Sequence, residues 1–167
     1  MNDVSDMSGK TCLITGGAGS IGMASAKLLR SKGAQLALVD LNREALENTT
    51  IAAFGAVPDD VLLIEADVSL EDDAKRYVRE TVDRFGAIST LFSNAGNFGT
   101  VAPIADYPTD IFDQVYKVHV RGAFLAANTR LRIWWRAAAS SSRQASPGCA
   151  VIPAFMPISR QSTHKPV

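Results

Sequence analysis

Residues 15–22 read Thr-Gly-Gly-Ala-Gly-Ser-Ile-Gly, four glycines in eight positions. Gly17, Gly19 and Gly22 satisfy G-x-G-x-x-G, a spacing that lets a chain turn tightly and bring backbone N–H groups against a pyrophosphate. Asp40 stands 18 residues after Gly22, close to the separation of about 20 at which an acid meets the ribose of such a ligand. Its carboxylate accepts hydrogen bonds from both ribose hydroxyls and repels a 2′-phosphate. Neither Leu41 nor Asn42 beside it supplies a compensating positive charge. The same residues are also compatible with a plain turn and a solvated acid, so the flanking elements must decide.

Four short apolar runs, beginning at Lys10, Gln35, Val61 and Ile88, are near-continuous rather than alternating. That is the pattern of strands buried on both faces of a parallel sheet. Between them, residues 21–32, 43–54 and 70–85 place apolar side chains at helical spacing, and Gly33, Gly55 and Gly86 follow where helices end in left-handed backbone. Alternating β and α units predict an α/β doubly wound sheet with right-handed crossovers. In that order the glycine octapeptide ends the first strand and opens the first helix, which is where helix N–H groups point at a phosphate. The context therefore favours a cradle over a turn, with Gly16, Gly19, Ser20, Ile21, Gly22 and Asp40 as candidate contacts to a dinucleotide.

Thr15, Gly16 and Gly22 match the T-G-x-x-x-G-x-G element of the short-chain dehydrogenases/reductases, with Ser20 at the middle glycine. Asp67-Val68, after the third strand, resembles the adenine contact of that family. Ser93-Asn94-Ala95-Gly96, after the fourth, resembles its N-N-A-G element. Taken alone, Asp67 reads as a helix cap and Asn94-Ala95-Gly96 as a turn. With His119 at the asparagine of V-N-x-x-G in residues 118–122, the resemblance covers residues 10–128. It implies a Rossmann-like domain that binds NAD through Asp67, Val68, Asn94, Ala95 and Gly96 as well as the glycine turn. It further implies hydride exchange with a small alcohol or ketone and, for full-length members, a homo-oligomer. In the family a tyrosine exchanges the proton, a lysine four residues on lowers its pKa, a serine holds the substrate oxygen and the asparagine supports a proton relay. His119 either takes that relay position or is a hydrogen-bonded helix histidine.

Past Asn128 the composition changes. Residues 1–128 hold 11 basic and all 17 acidic side chains, whereas residues 129–167 hold six basic ones, no acid and both tryptophans. No tyrosine in the chain is followed at four residues by lysine, and Tyr77 and Tyr107 lie in the wrong units for catalysis. Residues 140–142 are serines near the expected place of the catalytic one, but their surroundings do not read as a strand. The sheet is thus expected to stop after about four strands, with residues 1–128 an incomplete dinucleotide-binding domain and 129–167 an irregular basic tail. A shifted reading of the codons beyond Asn128 permits serine, tyrosine and lysine in family order, so a frame shift near residues 128–130 is the expected origin of the tail. A non-catalytic NAD-binding module or sensor is the alternative. A nucleic-acid arm is disfavoured, because the tail lacks repeated basic clusters. Cys12 and Cys149 have neither metal-ligand nor disulfide spacing and are expected to be reduced, and no metal is expected. No run approaches a membrane span, and the start of the chain lacks the layout of a signal peptide, so a cytoplasmic location is expected.

Overall fold

A computed structural model of the chain describes residues 6–140 and 150–153. Strands β1 (Thr11–Thr15), β2 (Gln35–Asp40), β3 (Val61–Glu65) and β4 (Thr90–Ser93) alternate with helices α1 (Ser20–Ser31), α2 (Arg43–Phe54) and α3 (Glu71–Phe85). The expected elements are all present, and their ends lie within two residues of the sequence reading. Every strand pair is parallel, and the order β3-β2-β1-β4-β5 places β1 in the middle. The chain builds outward from β1 to β2 and β3, then crosses back to β4 on the other side. Such a reversal leaves a crevice at the C-terminal ends of β1 and β4.

The near-continuous apolar runs have their explanation in two separate cores. Leu13, Ala37, Val39, Ile64 and Leu91 point to one face, with Tyr77 and Val78 of α3. Cys12, Ile14, Leu36 and Leu38 point to the other, with Met23 and Ala26 of α1. All five residues of β1 are buried. Each buried leucine or isoleucine contributes roughly 1.5–3 kcal/mol, so the central strand is held rigidly from both sides. Cys12 is a free thiol in this core, and burial pushes its pKa up. Gly33, Gly55 and Gly86 have φ of +89°, +85° and +83° and end their helices as expected. The outer edge of β3 is covered by guanidinium groups, Arg43 Nη1 donating to Leu63 O (2.6 Å) and Arg76 Nη2 to Glu65 O (2.8 Å).

Beyond β4 the chain forms a 3-10 turn (Ile104–Asp106), α4 (Thr109–Tyr116), a π-helical turn (Lys117–Arg121) and α5 (Gly122–Ser140). Two features differ from the sequence reading. Helix α5 crosses residue 128 and continues through Arg-Leu-Arg-Ile-Trp-Trp-Arg-Ala-Ala-Ala, because arginine, leucine and alanine are strong helix formers whatever their effect on net charge. A fifth strand, β5 (Ala150–Pro153), pairs with β4, so β4 is not the open edge that a four-stranded sheet would leave. Its run, Ala-Val-Ile-Pro, ends in a proline, which weakens a strand signal. Arg130, where α5 enters the basic region, is buried, and its Nε and Nη2 both donate to Ile88 O (3.1 and 2.6 Å).

Successive N–H groups of a strand point to opposite neighbours. Hydrogen exchange should therefore find both Leu91 and Phe92 amides protected, one by β1 and one by β5. Protection of only one of the two would make β4 an edge and remove β5 from the sheet.

Candidate functional site

The glycine turn closes between the end of β1 and the start of α1. Gly16 has φ +69°, a backbone region open to glycine, and a Cβ there would lie 2.9 Å from Ala95 Cα and from Asn94 Nδ2. A Cβ on Gly22 would lie 2.2 Å from Gly16 O. The first turn of α1 thus sits directly on the backbone of Gly16, and no larger residue fits either position. Gly17 is crowded by Leu38 and Leu46 of β2 and α2, and Gly19 is in extended backbone with φ −71°. The pair in contact is Gly16 and Gly22. The structure therefore uses the Thr-Gly-x-x-x-x-x-Gly register rather than the literal G-x-G-x-x-G beginning at Gly17. Ser20 opens the helix without positive φ, and no side chain caps α1. Its first N–H groups, from Ser20 to Gly22, face the crevice end of the sheet.

Asp40 is tied into this turn, its Oδ2 accepting from Ala18 N at 2.9 Å. A carboxylate has about four acceptor positions, so capacity remains for a ligand's hydroxyls. Across the crevice, Thr15 Oγ1 accepts from both Asn94 N and Ala95 N (3.1 Å each). Asn94 Nδ2 in turn donates to Thr15 O and Gly16 O (3.2 Å each). Asn94 therefore clamps the loop after β4 to the glycine turn, with Ala95 and Gly96 beside it. The parallel register aligns Thr15 with Ser93 and Val39, which brings these three strand ends level. Thr15 was not among the expected contacts. Its part depends on two strand ends meeting across 79 residues of sequence, which no local pattern reveals.

Asp67 and Val68 lie on the loop between β3 and α3. Asp67 Oδ1 accepts from Ser69 N (2.8 Å), and its own N–H donates to Asp73 Oδ2 (2.8 Å). Arg76 bonds the same Asp73 and, with that backbone N–H, holds its carboxyl below the usual carboxylate range. Val68 is buried against Gly122, where a Cβ would lie 3.1 Å from Val68 Cγ2. A cleft of about 440 Å³ opens beside Asp67, with Leu41, Arg43, Ala66 and Arg76 in its wall. Its lining includes neither the glycine turn nor Asn94, so it adjoins the crevice without being its centre. His119 lies in the π-helical turn against Gly96, with Nε2 3.1 Å from Asn97 N and 2.9 Å from Asn97 O. The expected residues thus fall on the loops after β1, β3 and β4, the start of α1, the end of β2 and the π-helical turn.

The tyrosines lie apart. Tyr77 is fully buried in the core, where burial pushes its phenol far above the ordinary value. Tyr107 hydroxyl accepts from Thr100 N (3.4 Å), and Tyr116 stacks on Phe112. Of the serine triplet, Ser141 and Ser142 lie outside the described residues, as does Cys149. Among the described residues no group of three or more His, Cys, Asp or Glu could hold a metal, and no helix is long and apolar enough to cross a membrane.

A doubly wound sheet with a glycine turn at its reversal point and an acid at the end of β2 defines a dinucleotide-binding α/β class. The short chain dehydrogenase family model matches residues 10–142, and the chain belongs to that family. It is 40% identical to the levodione reductase of Leifsonia aquatica over 125 residues, 74% of this chain and 47% of that protein. It is 32% identical to a short chain dehydrogenase/reductase of Macrophomina phaseolina, covering 78% of this chain and 75% of that one. Among solved structures, NAD+-bound xylitol dehydrogenase superposes with a TM-score of 0.68 at 38% identity, covering 75% of this chain and 48% of that one. A 3-ketoacyl-(acyl-carrier-protein) reductase of Brucella melitensis complexed with NADH gives a TM-score of 0.72 at 27% identity, covering 80% and 53%. The chain spans about half the length of the levodione reductase and of these two structures.

The contact between Gly22 and Gly16 makes a contrast that can be measured. Gly22→Ala should lower stability by about 3 kcal/mol, the upper end for overpacking. Gly19→Ala, whose Cβ would meet only Gly16 O at 3.3 Å, should cost less than about 1 kcal/mol. Urea unfolding of both variants gives the comparison, and equal costs would show that α1 does not rest on Gly16.

Proposed function

We propose that this chain binds NAD in the crevice between β1 and β4, and that its parent function is hydride exchange between nicotinamide and a small secondary alcohol or ketone. The observation that carries the proposal is the approach of Gly22 to the Gly16 carbonyl, which leaves an uncapped helix start facing the crevice with no Cβ in the way. The N–H groups of Ser20, Ile21 and Gly22 would take the pyrophosphate. Asp40 would take the adenosine ribose, Asp67 and Val68 the adenine, and Asn94, Ala95 and Gly96 the nicotinamide end. The NAD+-bound and NADH-bound relatives support a nicotinamide cofactor. When bound, that cofactor supplies the hydride acceptor.

Asp40 supports NAD over NADP. Its carboxylate is fixed at the turn by Ala18 N–H and would face a 2′-phosphate. Like charges 4 Å apart repel by about 1 kcal/mol in bulk water and about 4 kcal/mol near a protein surface. Arg43, three residues on, does not offset this charge, because its guanidinium is turned to Leu63 O on the β3 edge. The buried Arg130 supports the frame-shift reading: it stands on α5 beside Leu125 and Ala126, and among the described residues its partner is the Ile88 carbonyl. On that reading the serine, tyrosine and lysine of catalysis belong to the unshifted frame, and the 167-residue chain binds dinucleotide without turning it over. The reading carries with it the homo-oligomer that the resemblance implies for full-length members, and a cytoplasmic location.

Fluorescence titration with NAD and NADP should give at least about tenfold tighter binding of NAD, with Asp40→Ala narrowing the gap. Equal affinities in the parent would refute the assignment of Asp40. A paired assay of the 167-residue chain and a frame-restored chain, following NADH absorbance with a panel of secondary alcohols, should find turnover only in the restored chain. General acid–base removal costs roughly 10²- to 10⁴-fold. Turnover by the 167-residue chain would overturn the frame-shift account, and a silent restored chain would overturn the enzyme assignment.

A further inference from the structure

Asp67 stands two residues beyond the end of β3, and both polar groups of its backbone are engaged. Its N–H donates to Asp73 Oδ2 (2.8 Å), and its carbonyl accepts from Leu70 N (3.0 Å). The other oxygen of Asp73 accepts from Arg76 Nη2 (2.8 Å), and the same Nη2 donates to the carbonyl of Glu65 (2.8 Å), the last residue of β3. Each terminal nitrogen of a guanidinium carries two hydrogens, so both bonds are made at once. Strand end, guanidinium, carboxylate and loop amide thus close a ring around Ala66, where the chain leaves the sheet. Glu80 Oε1 accepts from the other terminal nitrogen of Arg76 (3.3 Å) and steadies it. Asp73 also lies in the first turn of α3, where free N–H groups favour a negative charge. The adjacent Asp72 has the same charge in the same turn, yet its side chain is 97% exposed and pairs with Lys75.

We propose that Asp73 is a positioning residue for the adenine end of the dinucleotide, holding the loop of Asp67 and Val68 over the end of β3 through its ring with Arg76 and Glu65. Its role toward the ligand rests on the proposed dinucleotide function. A carboxylate suits the place because it turns one oxygen to each of two donors. A carboxamide offers a single oxygen, so Asp73→Asn keeps one of the two bonds and Asp73→Ala keeps neither. With the ring open, Asp67 N–H loses its acceptor, and the loop loses this tie to α3. The adenine amino group is a donor that suits the Asp67 carboxylate, whereas hypoxanthine carries a carbonyl oxygen at the same position. Discrimination between these two bases is therefore the property that depends on where the loop stands.

Amide exchange and dinucleotide binding, both on the full chain, test the role of Asp73. Exchange of the Asp67 amide should speed by about tenfold or more in Asp73→Ala, as expected when a bond to a charged acceptor is lost. Asp73→Asn should fall between that variant and the parent, and Asp72→Ala should match the parent. NAD and nicotinamide hypoxanthine dinucleotide are the probes for binding. The parent should prefer NAD severalfold, and Asp73→Ala should bring the two affinities together by weakening NAD. Asp72→Ala, which removes the same charge from the same turn, should keep the preference of the parent. A merely structural role would weaken both dinucleotides alike. Unchanged Asp67 exchange in Asp73→Ala, equal weakening of both dinucleotides, a parent that binds both alike, or the same loss in Asp72→Ala would each overturn the proposal. Failure of the parent to bind either dinucleotide would refute the function itself, while the exchange data would still decide whether Asp73 holds the loop.

Discussion

The approach of Gly22 to the carbonyl of Gly16 is the constraint on which the rest of the site depends. At 2.2 Å from that oxygen, the place of a Cβ is already taken by backbone. Because α1 lies so close, its first N–H groups stand at the end of β1 rather than beyond it. Gly16 can accept this packing only in left-handed backbone, φ +69°, and that conformation exposes its carbonyl both to Gly22 and to the amide of Asn94. One close contact therefore joins a strand, a helix and the loop of a neighbouring strand.

The remaining loops are held by polar groups working around this contact. Asp40 fastens the turn from the β2 side through Ala18, and Thr15 fastens the β4 loop through two amides on one hydroxyl. The π-helical turn then links the β3 and β4 loops from the side, through Arg121 and His119. The neutral ties are hydrogen bonds of modest net strength, about 0.5–1.5 kcal/mol, and those of Asp40 and Arg121, which are charged, contribute about 1.5–3 kcal/mol. Together they set the relative positions of loops from four strands, and precision of placement, more than stability, is what a ligand with charges at several points requires.

Much of this was legible before the structure, for physical reasons particular to each element. Strands buried on both faces write continuous apolar runs, and Gly33, Gly55 and Gly86 mark helix ends because positive φ excludes most residues. The glycine turn could be located by its spacing, and the match of Gly16 and Gly22 to the family element already marked the pair. The packing distances add why: these two meet each other, whereas Gly19 has extended backbone that any residue adopts. Thr15 was marked by the family element but its partners were not, and Arg121 gave no local signal, since those partners lie 79 and 52 residues away. Helix α5 runs past residue 129 because composition changes there while helix propensity does not, and the run of β5 ends in a proline, which weakens its strand signal.

The central claim is that the crevice between β1 and β4 is a dinucleotide site built around Gly16 and Gly22. A two-dimensional amide NMR titration of the full chain with NAD tests it most directly, since it reads the place of binding as well as its strength. The account predicts saturable shifts of Ser20, Ile21 and Gly22 at the start of α1, together with Ala95 and Gly96 after β4, and little change along the outer edge of β3. Shifts confined to the cleft beside Arg43 and Arg76, or none at all at saturating NAD, would contradict it.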